Sequence, residues 1–206
     1  MKKETEVIYS YLSQKSIKEQ INNHKENDLA DLANIIDRIT LWKTNRQVDY
    51  SNIQEIEKHL KHIEGIKDLS ELKNDDEKTA KVKDALQMLI NTKGIRLPLA
   101  STILHFFNPV FPICDQRAYR AVYKVTKGLS REYPKNITEL RKMHKSETGK
   151  KADFVDLYFD YVEECTDAFN SSLKEKYFLE NGVYTQVTLQ NIDKYLYAVD
   201  EGPVRR

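Results

Sequence analysis

Cysteine is almost absent from this 206-residue chain: Cys114 and Cys165 are its only two. They offer no paired spacing for zinc, too few thiols for a four-cysteine iron–sulfur cluster, and no disulfide framework. No metal and no cofactor is therefore expected. Glycine and proline are also scarce, at six and five residues, which argues against turn-dense sandwiches and barrels. No apolar run approaches membrane-spanning length, and Met1-Lys2-Lys3 leads into Glu4 and Glu6 rather than into a signal-peptide core. The cytoplasm is the expected location, with no membrane partner. Walker, G-x-S-x-G and H-E-x-x-H motifs are missing too, which removes the common nucleotide-hydrolase, esterase and zinc-protease readings.

What the chain does have is lysine, glutamate, leucine and isoleucine at helical spacing. The expected fold class is all-α, a length of 206 residues being enough for one compact domain or two small lobes. The net charge of +1 conceals a segregation: Lys93–Lys151 holds thirteen Lys/Arg against four Asp/Glu, and the remainder is acidic. A separate basic region suits a polyanion, although solvated helix faces also sort charge by chance.

The central stretch runs from Lys93 to Arg120, KGIRLPLASTILHFFNPVFPICDQRAYR. Before it, Val82, Ala85, Leu86, Leu89 and Ile90 form one apolar helix face. Gly94 interrupts that pattern, and Pro98 suits the first turn of a new helix with Ala100, Ile103, Leu104 and Phe107 as its stripe. Asn108-Pro109 and Phe111-Pro112 then force an extended passage. It delivers Asp115 in front of a helix carrying Ala118, Ala121, Val122 and Val125.

This order of residues resembles the signature of the helix-hairpin-helix DNA glycosylase superfamily. Gly94 matches the first hairpin glycine, Arg96 stands in place of the second, and Asp115 matches the catalytic aspartate. Pro98 falls where the strand-nicking members keep their lysine, so the resemblance implies a monofunctional enzyme without Schiff-base chemistry. It further implies a single helical glycosylase-like domain over residues 1–206, with its helix-hairpin-helix core at 78–127. Two helical lobes would surround that core, with a cleft at their junction. Double-stranded DNA with a flipped base is the implied partner, bound through the main chain and side chains of Lys93, Gly94, Ile95 and Arg96. The setting is either DNA repair by base excision or defence against phage DNA. A helix-hairpin-helix module that binds DNA without chemistry, and an interaction protein in which the motif packs the core, are the competing readings.

The individual residues keep their own alternatives. Asp115 before an apolar stripe is also a good helix N-cap. Arg117 and Arg120 can hold phosphates or pair with acidic partners elsewhere. Trp42, followed by Lys43 and Arg46, can stack on a base and hold phosphates, but a tryptophan at a helix end more often packs the core. His59 and His62, at i and i+3, lack a third metal ligand. His105 lies on the second hairpin helix, where a buried, hydrogen-bonded histidine is the commoner outcome.

Elsewhere the spacing predicts helices over residues 4–24, from Leu29 with Asn27 as N-cap, and from Ile53 with Ser51 and Gln54 as a capping box. Asn74 and Glu77 mark the start of the helix that feeds Gly94. Residues 128–151 read as irregular and basic, with a short helix near Leu140. A long amphipathic helix follows from Phe154 to Phe169, with its tyrosines as core or as pocket lining. Val183–Val187 reads as too short and isolated for a sheet. Ile192, Tyr195, Leu196 and Val199 form a last helix, ended by Gly202-Pro203.

Overall fold

The computed structural model describes residues 14–44, 46–128, 137–148, 153–180 and 182–200. The fold is mostly helical, and the chain divides into two compact units, residues 1–108 and 109–206. The division falls between Asn108 and Pro109, inside the stretch expected to form one core.

The first unit holds the described part of α1 (residues 14–23), α2 (Leu29–Lys43), α3 (Ile53–Glu64), the short α4 (Ser70–Asn74), α5 (Asp76–Asn91) and α6 (Leu97–Phe107). Its core is built from apolar helix faces. Leu32, Ile35, Ile36 and Ile39 of α2 and Ile56, Leu60 and Ile63 of α3 are buried, as are Val82, Ala85, Leu86 and Leu89 of α5. Removing these faces from water is the main source of the unit's stability, at roughly 25 cal/mol per Å² of apolar surface. α6 is apolar nearly all round and is buried from Leu97 to Phe106 except at Pro98, as suits a central helix.

Polar groups fasten the edges. The ring nitrogens of His24 lie 2.9 Å from Asp31 Oδ2 and 3.3 Å from Glu57 Oε1, linking the segments before, within and after α2. The Asn108 side-chain amide donates to the carbonyls of Ile63 and Ile66 at 2.7 and 2.8 Å, satisfying the C-terminal end of α3.

Three helix starts differ from expectation by one residue. Asn27 takes a left-handed conformation, with φ of 66°, and donates its N–H to Glu57. Asp28 is the true cap of α2, accepting from the Asp31 N–H at 3.1 Å. Asparagine tolerates this conformation better than most residues, so the turn falls there and the cap moves on. Asp75 likewise replaces Asn74 at α5, accepting from Lys78 N–H. The Ser51–Gln54 capping box does not form: Asn52 is at the cap position of α3 with no side-chain cap bond, while Ser51 N–H is taken by Asp49.

The second unit holds α7 (Gln116–Lys127), α8 (Ile137–Thr148), α9 (Phe154–Ala168), α10 (Ile192–Val199) and one β-hairpin. α9 runs on into a wider π turn, Phe169–Leu173. The hairpin corrects the expectation of no sheet: β1 (Tyr177–Glu180) pairs antiparallel with β2 (Val183–Gln186), Leu179 opposite Tyr184. Each strand has only four residues, too few for alternation to stand out from a loop. Its support is tertiary, since Phe178 is buried and meets the ring of Tyr195 on α10 edge-on at 6.4 Å. Asn181, Gly202 and Pro203 lie outside the described residues. Among the described residues, no helix is long and apolar enough to cross a membrane.

Candidate functional site

Two places carry the residues singled out in the sequence, one on each unit. The first is the turn between α5 and α6. α5 ends at Thr92, whose hydroxyl donates to Met88 O and accepts from the Asn52 side chain. Ile95 N–H then donates to Thr92 O at 3.0 Å, which closes the turn. Gly94 at its tip has φ of 96°, the left-handed region that glycine enters without strain. Arg96 is extended, and its carbonyl accepts from Leu99 and Ala100 to start α6, with Pro98 in the first turn where no donor is needed. Lys93 and Arg96 are exposed, whereas Ile95 is buried in the core. The candidate DNA-binding residues of this turn thus divide into two outward cations, one glycine and one packing residue whose amide serves the turn.

Residues 46–49 lie against this turn. Asp49 N–H donates to Lys93 O at 3.0 Å. A Cβ on Gly94 would collide with the carbonyl oxygen of Gln47 and come within 3.0 Å of its carbon and 3.1 Å of Val48 Cα. Gly94 is therefore required twice, by its backbone angle and by the close approach of another chain segment. Arg46 is exposed at the start of that segment. Trp42 packs instead: its ring meets Phe106 of α6 edge-on at 5.6 Å and is half-buried. Lys43 is half-buried in the last turn of α2, a favourable place for a cation at a helix C-terminus. His105 is buried beside Phe106.

The second place is Asp115, at the N-terminus of α7. Its backbone is extended, and Oδ1 accepts from the N–H groups of Arg117 and Ala118, both at 2.9 Å. The cap expected from the sequence is thus present. The extended segment leading to it is anchored by two buried tyrosines of α9. Tyr158 Oη donates to Pro112 O at 3.2 Å, and Tyr161 Oη donates to Ile113 O at 3.0 Å. Burial, with the nearby Cys114 and Cys165 adding to it, pushes both phenols well above their ordinary range, so they remain protonated donors. The aromatic stripe of α9 is therefore core, and its hydroxyls hold the approach to Asp115. Cys114 and Cys165 are buried free thiols, and burial raises that of Cys165.

Arg117 and Arg120 follow the second of their two alternatives. Both bind Asp200, beyond the end of α10: Arg117 Nε at 2.9 Å from Oδ2, and Arg120 Nε at 2.7 Å from Oδ1 with a further bond from Nη2 to Oδ2. Arg117 also donates to the carbonyls of Tyr197 and Asp200 and lies 3.6 Å over the Tyr197 ring. These cations hold α10 to α7. Asp200 carried no signal in the sequence, being one acidic residue near the end of an amphipathic helix.

No family model, curated protein or solved structure matches this chain. The candidate site rests on its own geometry. Among the described residues, no group of three or more His, Cys, Asp or Glu is placed to hold a metal; His59 and His62 meet ring edge to ring face at 5.9 Å.

Proposed function

We propose that this protein binds DNA and acts as a monofunctional N-glycosylase, with Asp115 as the catalytic carboxylate and the α5–α6 turn as a helix-hairpin-helix contact to backbone phosphate. The observation that carries the reading is Asp115 itself: a carboxylate at a helix start, fixed by two backbone N–H groups and preceded by a segment that two buried tyrosines hold. Breaking an N-glycosidic bond develops positive charge on the sugar, and a pre-positioned carboxylate stabilises that charge and orients water. The chemistry acts on a damaged or modified base turned out of the duplex. Pro98 in place of an amine means that the released-base product stays uncut until alkali is added.

A second reading, a DNA-binding module without chemistry, is favoured by one observation. Asp115 Oδ1 is satisfied as an ordinary helix cap by the Arg117 and Ala118 N–H groups, a role that needs no chemistry.

The test is base release from duplexes carrying a panel of lesions and modified bases, phage-type modifications included. Wild type is expected to release one class of base, with strand cleavage only after hot alkali. Asp115→Asn should fold, keep its DNA affinity, and lose excision by about two or more orders of magnitude. Full excision by a folded Asp115→Asn protein would overturn the assignment. DNA binding without release of any base would favour the second reading.

A further inference from the structure

Residues 46–49 and the α5–α6 turn are 44 or more positions apart in the chain, yet they form one piece of surface on the first unit. Asp49 N–H is bonded to Lys93 O, and the face of Gly94 that a side chain would occupy is filled by the backbone of Gln47 and Val48. We propose that Arg46 joins Lys93 and Arg96 in a two-segment contact surface for the phosphates of duplex DNA, with Gly94 as the seat that locks the segments together. This deepens the DNA-binding reading above and rests on it.

The argument is one of placement and charge. Arg46, Lys93 and Arg96 are all exposed. Ile95, between the two turn cations, is buried at 1% exposure and seats the turn in the core. The one anion in these two segments is Asp49. The Ser51 N–H and hydroxyl bind its carboxyl and hold it below the usual carboxylate range, with a smaller contribution from Lys93. The two segments thus carry three cations against one anion. Because Gln47 fills the Cβ side of Gly94, the glycine also serves the joining of the segments, and the side chains add their charge to the attraction of phosphate. Cations fixed on two chain segments address separate phosphates, and each contact adds to the salt dependence of binding.

The experiment is fluorescence anisotropy of the full chain with an unmodified duplex of about 20 base pairs, two helical turns, over a range of salt. Arg46→Glu, Lys93→Glu and Arg96→Glu should each weaken binding and each lower the salt slope by about 0.9 per lost phosphate contact. Lys58→Glu, an exposed cation on α3, should change neither beyond the general effect of net charge. Gly94→Ala should weaken binding at least as much as Arg46→Glu, and Arg46→Glu should add little in the Gly94→Ala background. Should Gly94→Ala fail to fold, the Arg46→Glu comparison decides alone. If Arg46→Glu is silent while Lys93→Glu and Arg96→Glu weaken binding, the two-segment surface is wrong and the glycosylase reading stands. An equal loss from Lys58→Glu, or a full Arg46→Glu effect in folded Gly94→Ala protein, also overturns it. No salt-dependent binding by wild type removes both readings.

Discussion

Arg120 and Asp200, 80 positions apart in the chain, meet in a buried, two-pronged ion pair. Arg117 adds a third bond to the same carboxylate and covers Tyr197. Asp200 is thus tied to the helix that Asp115 caps. Such a pair contributes modestly against a well-packed apolar replacement, but breaking it from one side strands a charge.

Asp200→Ala should therefore destabilise the second unit by about 3–5 kcal/mol. Urea unfolding followed by tyrosine fluorescence measures it. Removing both charges together, as Asp200→Leu with Arg120→Met, should recover much of the loss. A single variant as stable as wild type would show that the pair is dispensable.

The same carboxylate makes a pH prediction. Burial pushes Asp200 up, but the hydrogen bonds and charges of Arg120 and Arg117 outweigh it and hold the group below its ordinary value. A depressed carboxyl stabilises the fold fully above its unfolded pKa of about 3.9 and loses that contribution as pH falls through the lower folded value. Wild type should accordingly lose stability below about pH 4 more steeply than Asp200→Asn. Denaturation midpoints from pH 6 to 2.5 test the difference; parallel curves would contradict it.

Tyr161→Phe removes only a hydroxyl, yet it leaves the Ile113 carbonyl without its 3.0 Å donor in a buried setting. The expected cost is about 1–3 kcal/mol. On the glycosylase reading, the variant should also lower the excision rate constant more than it weakens DNA binding, because the segment before Asp115 loosens. Single-turnover excision beside equilibrium binding separates the two effects.

Trp42→Ala should lose about 1–3 kcal/mol of stability in the first unit, less than a fully buried tryptophan, because the ring is half-buried against Phe106. Trp42→Phe should recover part of that loss. A drop in DNA affinity with no change in stability would instead make Trp42 a stacking residue.

Asp115→Ala should cost about 1 kcal/mol through the lost cap, and Asp115→Asn much less. Thermal unfolding of both variants, set beside their excision rates, separates capping from chemistry.

Much of this molecule was determined by sequence alone, where the controlling interaction is local. The stripes Val82–Leu89 and Ala118–Val122 became buried helix faces because the 3.6-residue period puts them on one side. Gly94 broke the helix and took positive φ, and Asp115 capped α7, because both are decided within a few residues. Cap positions elsewhere moved by one residue, since Asn27 and Asp28, or Asn74 and Asp75, are near-equal competitors whose choice depends on packing. The roles of the charged and aromatic side chains were decided only by tertiary structure. Arg117 and Arg120 had two chemically equal uses until Asp200 came within reach from 80 positions away. Trp42 met Phe106, two tyrosines of α9 met the segment before Asp115, and the β-hairpin found its support on α10. A helix records its own geometry in its period, but a guanidinium or a phenol records only that it needs a partner, and the fold chooses which one.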